Sequence, residues 1–169
     1  MTHNGLQVFL CCLVAHSSNA FAADQTYNFA LPSKVKITIV EAPYAERPAS
    51  ACPGTKAGQR ADSYRPKTYV KSISAFSHGQ TIRFDVTCMT DAWNGRPLQH
   101  EGVVRYFGGW CKLYDKKPYC GFRGVFADGG ESFAAEWYAN GNIAKRTVLS
   151  GSTDVIDLFM KNIDPPEYE

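Results

Sequence analysis

Long apolar runs and histidines are both scarce in this 169-residue chain, and each scarcity removes a class of function. No apolar stretch reaches the roughly 18 residues that a membrane-spanning helix needs, so no membrane span is expected. Of the four histidines, His3 and His16 lie in the first 22 residues, which leaves His78 and His100 for acid–base or metal chemistry. The G-x-S-x-G elbow of a serine hydrolase is missing, and Ser150-Gly151-Ser152 reads as the start of a helix. No Walker-type phosphate loop occurs, and Gly108-Gly109 and Gly129-Gly130 read as turns or bulges. What is present, 44% apolar and 20% charged residues, belongs to a globular chain of one-domain size.

Residues 6–15 form a ten-residue apolar stretch followed by His16-Ser17-Ser18-Asn19 and then Ala20-Phe21-Ala22. A short apolar region ahead of an A-x-A site reads as a secretory signal peptide over residues 1–22, although its positive charge rests on the α-amino group and His3. The expected organisation is therefore a leader, 1–22, and one disulfide-stabilised globular domain, 23–169, exported to a periplasm or beyond the cell. All charged side chains then fall in the domain. Residues 23–124 carry a net charge of +7 and residues 125–169 a net charge of −5, a basic body with an acidic C-terminal third.

Cys11 and Cys12 sit inside the apolar leader, which leaves Cys52, Cys88, Cys111 and Cys120. An even number in an exported chain implies two disulfides. Cys111 and Cys120 flank the turn-like run Asp115-Lys116-Lys117-Pro118, so a hairpin would bring them together and leave Cys52 for Cys88. Each bridge would stabilise by roughly 3–4 kcal/mol on the chain-entropy model. Zinc is not expected, because its structural sites pair ligands two to four residues apart and the spacings here are 36, 23 and 9. No cofactor is expected either.

The periodicity is that of strands. Residues 34–41 alternate, with Val35, Ile37 and Ile39 on one side. Residues 69–76 and 81–89 read as strands around Ser77-His78-Gly79-Gln80, with Ile82, Phe84, Val86 and Cys88 sharing a face. Residues 102–107, 110–114 and 119–126 are further short strands, and the Pro-, Gly- and Arg-rich residues 42–66 are a long loop pinned by Cys52. Asn140-Gly141 between residues 132–139 and 142–149 is a strong two-residue hairpin signal, and its register would set Glu136 across from Lys145. Ser152-Thr153-Asp154 offers N-cap oxygens to a helix ending near Ile163, with Val155, Ile156, Phe159 and Ile163 on its packing face. The expected fold is mainly β (α+β): a small antiparallel sheet or sandwich with one C-terminal helix, stapled by two disulfides. Residues 137–143, Trp-Tyr-Ala-Asn-Gly-Asn-Ile, resemble the hairpin of a MORN-type repeat. The likeness covers about twenty residues in one copy, where repeat arrays need about three or more, and it implies a hairpin without a function.

Catalysis has little to build on. His78 lies in a turn and His100 at a loop-to-strand junction, and the carboxylate pair Asp85 and Asp91 is accounted for by a surface ion pair with Arg83. Binding has more. Aromatic and basic residues interleave from Trp93 to Arg123, and alternation alone would place most of the aromatics in a core. Lys112, Lys116 and Lys117, beside Trp110 and Tyr114 on the Cys111–Cys120 hairpin, exceed what folding requires, and aromatic faces beside cations stack on sugars and attract acidic groups. The leading expectation is an exported non-catalytic binding protein of the cell envelope. It would contact a protein or an anionic glycan, rather than nucleic acid, through the loop around Cys52 and the Lys-tipped hairpin. The alternatives are a small secreted hydrolase using His78 or His100, and a structural envelope component.

Overall fold

A computed structural model of the chain describes residues 23–48, 50, 66–92, 107–127 and 132–163. Among them are the strands β1 (Gln25–Ala30), β2 (Lys36–Pro43), β3 (Thr68–Ser77), β4 (Gln80–Phe84), β5 (Phe107–Tyr114), β6 (Lys117–Phe126), β7 (Phe133–Asn140) and β8 (Ile143–Ser150). One helix, α1 (Thr153–Asn162), follows β8, and a single 3-10 turn, Tyr44–Glu46, follows β2. The strands form one mixed sheet in the order β1-β2-β3-β4-β8-β7-β6-β5. This corrects the expectation of a small antiparallel sheet or sandwich. Neighbours are antiparallel except β4 and β8, which run parallel through Arg83↔Ile143 and Phe84↔Ala144. β4 stops at Phe84, short of the expected residue 89. Beyond it Met89 N–H bonds back to the Val86 carbonyl at 3.1 Å, and Cys88 takes a φ of 61°.

The sheet curls until its two edges approach each other. Ser33 Oγ, just after β1, donates to the Gly109 carbonyl of β5 at 2.9 Å, and the Phe29 and Phe107 rings meet edge to face at 5.6 Å. The curl is filled. Ile37, Ile39, Ile73 and Ile82 come from one half, as the β2 alternation requires. Phe107, Phe122, Phe126 and Trp137 come from the other, with Phe84 lying 4.7 Å from Phe122 and 5.2 Å from Trp137 between ring centroids. The Trp137 indole N–H donates to the Asp85 carbonyl at 2.7 Å, so the polar end of a fully buried ring is satisfied just where β4 ends. Cys111 and Cys120 are opposite partners of the β5–β6 ladder and form the expected disulfide on this inner face, with Cα atoms 4.2 Å apart. Cys88 is also disulfide-bonded, and Cys52, its expected partner, lies outside the described residues.

The β7–β8 hairpin forms in a different register from the one expected. The connecting residues are Gly141 and Asn142, not Asn140 and Gly141. Gly141 at φ 93° takes the first central position, where the II′ turn wants glycine. Ala139 therefore pairs with Ala144 and Tyr138 with Lys145, and Glu136 faces Val148 rather than Lys145. A bulge between Glu136 and Trp137 carries Val148 to the outer face of the sheet. There it packs with Val125, Ala134, Val155, Ile156, Phe159 and Ile163 under α1, the face anticipated for the helix. Ser152 stands at the N-cap without a side-chain capping bond, contrary to expectation; its own N–H is held by Ser150 Oγ at 3.1 Å.

Candidate functional site

A curled sheet whose interior is packed with rings leaves its outer surface as the place to meet a partner, and α1 covers one end of that surface. Most of the large exposed rings, Trp110, Tyr114, Tyr119 and Tyr138, stand on the outer face of β5, β6 and β7 beside it. The β5–β6 connection is tight: Asp115 and Lys116 both have positive φ, 47° and 59°, the two left-handed positions of a I′ turn. That turn fixes the register Tyr114↔Lys117, Lys112↔Tyr119, Trp110↔Gly121 and Gly108↔Arg123. With Cys111 and Cys120 directed inward, alternation sends Trp110, Lys112, Tyr119 and Arg123 outward. On β7, buried Trp137 and Ala139 leave Glu136 and Tyr138 outward, Tyr138 directly across from Gly121 and Glu136 across from Arg123.

Gly121 is the hinge of the arrangement. A Cβ at this position would meet the Trp110 indole at 3.0–3.2 Å, so a glycine here lets the indole lie closer to the sheet than any other residue would. The Tyr119 ring sits diagonally beside it at 5.4 Å, and Lys112 Nζ lies 5.9 Å from the Trp110 ring centroid. Trp110, Tyr119 and Tyr138 remain 39%, 46% and 40% exposed, in contrast to the sealed Trp137. Three large rings left open on one face form a platform rather than a spill of core residues.

Two clefts flank this platform and share Tyr138 as a wall. Toward α1, a cleft of about 230 Å³ is lined by Trp110, Gly121, Arg123, Glu136, Tyr138 and Asn162, among others. Its polar heart is an ion pair, Arg123 Nε to Glu136 Oε2 at 2.6 Å, with the guanidinium also 5.5 Å from the Phe159 ring centroid. The Glu136 hydrogen bond and charge hold Arg123 still more firmly protonated than an ordinary guanidinium. Toward the turns, a wider groove of about 830 Å³ is lined by Lys117, Tyr119, Tyr138, Lys145 and the amides Gln80, Asn140 and Asn142. The turns themselves are tied together: Gly141 N–H donates to the Pro118 carbonyl at 2.7 Å and Gln80 Nε2 to the Lys116 carbonyl at 3.1 Å.

Of the residues singled out from sequence, Trp110 belongs to the platform and the first cleft and Lys117 to the second groove. Lys112 and Tyr114 occupy outer positions of β5 beside them, outside both clefts. Lys116 sits in the turn. The loop around Cys52 and His100 lie outside the described residues. Tyr138, Lys145, Glu136 and Asn162 were not anticipated. They lie on β7, β8 and α1, and only sheet pairing brings them to the hairpin. The legible signal was parity: once Trp137 is assigned inward, Tyr138 and Glu136 must face outward.

The residues considered for catalysis serve the backbone. Asp91 Oδ1 accepts from Lys67 N–H at 2.8 Å and from Thr68 N–H at 2.9 Å, holding the start of β3. Asp85 Oδ1 accepts from Thr87 N–H at 3.0 Å and Thr87 Oγ1 at 2.6 Å, and its charged neighbour is Arg146 rather than the expected Arg83. Partial burial works against the Asp85 carboxylate, and the Thr87 hydrogen bonds with Arg146 outweigh it, so the group titrates below the usual carboxylate range. A general acid poised near neutrality needs the opposite shift. His78 is exposed in the β3–β4 turn at φ 50°. Among the described residues no group of three His, Cys, Asp or Glu could hold a metal ion. No helix of the described residues is long and apolar enough to cross a membrane. No family model matches the chain, and neither does any curated protein or solved structure.

Proposed function

We propose that this protein is an exported, non-catalytic binding protein of the cell envelope that holds an anionic glycan on the outer face of β5, β6 and β7. The observation that carries the reading is the platform of Trp110, Tyr119 and Tyr138, open on one face and edged by Lys112, Lys117, Arg123 and Lys145. Sugar rings present C–H faces that stack on aromatic rings, and their hydroxyl and acidic groups need hydrogen-bond partners at the ring edges. A shallow aromatic surface with polar rims supplies both. A packed protein interface would instead be expected to have an apolar centre depleted of charge, whereas here cations stand immediately beside each ring. Export is supported by the leader pattern of residues 1–22 and by the Cys111–Cys120 disulfide, which persists in oxidising compartments. On this reading Cys52 pairs with Cys88, tying the connection between β2 and β3 to the segment after β4.

The test is retention of the purified, disulfide-intact protein on immobilised uronate-containing polysaccharide, with a neutral polysaccharide in parallel. Retention at about 20 mM salt and release by about 0.5 M is the expected result, because exposed ion pairs are screened over this range. Retention on both polysaccharides that ignores salt would remove the anionic preference, and no retention on either, with capture by envelope proteins alone, would replace the glycan with a protein partner.

A further inference from the structure

The two clefts beside the platform differ in charge, and the difference is chemical rather than one of degree. In the α1-side cleft the charged groups cancel: Arg123 and Glu136 are paired at 2.6 Å. A ligand carboxylate entering there gains the guanidinium but meets the Glu136 carboxylate beside it. A sugar hydroxyl has no such conflict, since it can donate to Glu136 and accept from Arg123 at once. In the turn-side groove the charged residues are Lys117 and Lys145, and no carboxylate lines the surface. Neither lysine forms an ion pair with a described residue. Around them Asn140, Asn142 and Gln80 offer neutral donors and acceptors. That groove suits a sugar bearing an anionic substituent, carboxylate or sulfate. Tyr138 walls both clefts, so one short oligosaccharide can occupy them together.

We infer that this face distinguishes neighbouring sugars by charge, taking a neutral ring on Trp110 beside the Arg123–Glu136 pair and an acidic ring on Tyr119 between Lys117 and Lys145. The inference rests on the glycan reading above and adds the class of glycan: a chain in which neutral and acidic sugars are neighbours. It also assigns specificity to residues on four different strands, β5 to β8. Size agrees, because a cleft of about 230 Å³ is below the range typical of drug-sized ligands and holds a small polar ring.

The experiment measures the affinity of the purified, disulfide-intact protein for three oligosaccharides of equal length by calorimetry. The probes are an alternating glucuronate–N-acetylhexosamine chain, an all-acidic oligogalacturonate and a neutral chito-oligosaccharide; an alternating chain whose only anionic groups are sulfates, with no uronate, separates carboxylate from sulfate. The alternating chain is expected to bind tightest. The double variant Lys117→Gln/Lys145→Gln should cut the preference for the alternating over the neutral chain about tenfold, the loss expected for two exposed charge contacts. Glu136→Gln should instead cut the preference for the alternating over the all-acidic chain, by about threefold or more, since it removes the repulsion that excludes a second carboxylate. Arg123→Gln/Glu136→Gln is the companion if the single change unsettles the fold. Tightest binding of the all-acidic chain, or equal losses on all probes in both sets of variants, would overturn the two-cleft assignment while leaving glycan binding in place. No binding of any probe would overturn the glycan reading itself.

Discussion

Replacing Trp137 by alanine is expected to cost the protein about 4–6 kcal/mol of stability, the largest loss of any single substitution considered. The ring is fully buried and touches Phe84, Phe107 and Phe126 at centroid distances of 5.2, 6.3 and 6.1 Å. Large-to-small changes at such sites cost about 3–5 kcal/mol. Loss of the indole bond to the Asp85 carbonyl adds about 1 kcal/mol, out of a total stability of roughly 5–15 kcal/mol for a domain. The effect is structural as well as energetic, because Trp137 is where β7 meets the end of β4, close to the one parallel step of the sheet. Urea unfolding followed by far-UV circular dichroism measures it, and Trp137→Phe, which keeps a ring and loses the donor, should fall in between. A loss below about 1 kcal/mol in the alanine variant would mean that the aromatic cluster is not the core of the curl.

The same substitution at Trp110 is expected to do the reverse. Trp110 is 39% exposed on the outer face, rests on Gly121 and supports no buried hydrogen bond between strands. Trp110→Ala should therefore change stability by less than about 1 kcal/mol. Its effect on glycan affinity should be large, about five- to 150-fold, taking the worth of a ring stacked on an aromatic platform as about 1–3 kcal/mol. Gly121→Val offers an independent route to the same loss. Its side chain would fill the space under the indole and lift Trp110 off the sheet without removing it. Calorimetric titration alongside thermal melting separates the two quantities. A Trp110→Ala variant that binds like the original protein would remove the platform from the account.

The contrast between these two tryptophans also marks what was legible in the sequence. Strand β2 was plain, because Ile37 and Ile39 alternate with polar residues and one side is wholly buried. The C-terminal helix and its packing face were equally plain, since Phe159 and Ile163 recur at helical spacing. Strand β1 went unmarked: along Gln25–Ala30 only Tyr27 is buried, so a strand at the end of the sheet order left almost no periodic signal. The parallel pairing of β4 with β8 was beyond reach, because the two strands are far apart in sequence and no local pattern records which distant strand lies beside β4; its end at Phe84 was hidden too, since Val86 and Cys88 continue the alternation. The β7–β8 turn was located to within one residue and its register was missed, since Asn-Gly and Gly-Asn are both good turns and Asn140-Gly141-Asn142 contains each.

The site was half legible for the same reason. Trp110 and Lys117 belong to a local hairpin whose cysteines announce its register, so their exposure on one face follows from counting. Tyr138, Lys145 and Glu136 reach the site through pairings across β6, β7 and β8, and a sequence gives their facing only after the inward residues of each strand are known. Gly121, which carries no chemistry, is the least visible member. Its role is the absence of a side chain under Trp110.

The most direct test follows the tryptophan indole N–H signals of ¹⁵N-labelled protein while the alternating acidic–neutral oligosaccharide is added. The account predicts that the Trp110 indole signal moves saturably and at low salt, while the Trp137 signal, sealed in the core against the Asp85 carbonyl, stays in place. A titration in which Trp110 does not move while ligand binds would contradict it, and the outer face of β5–β7 would then not be the binding surface.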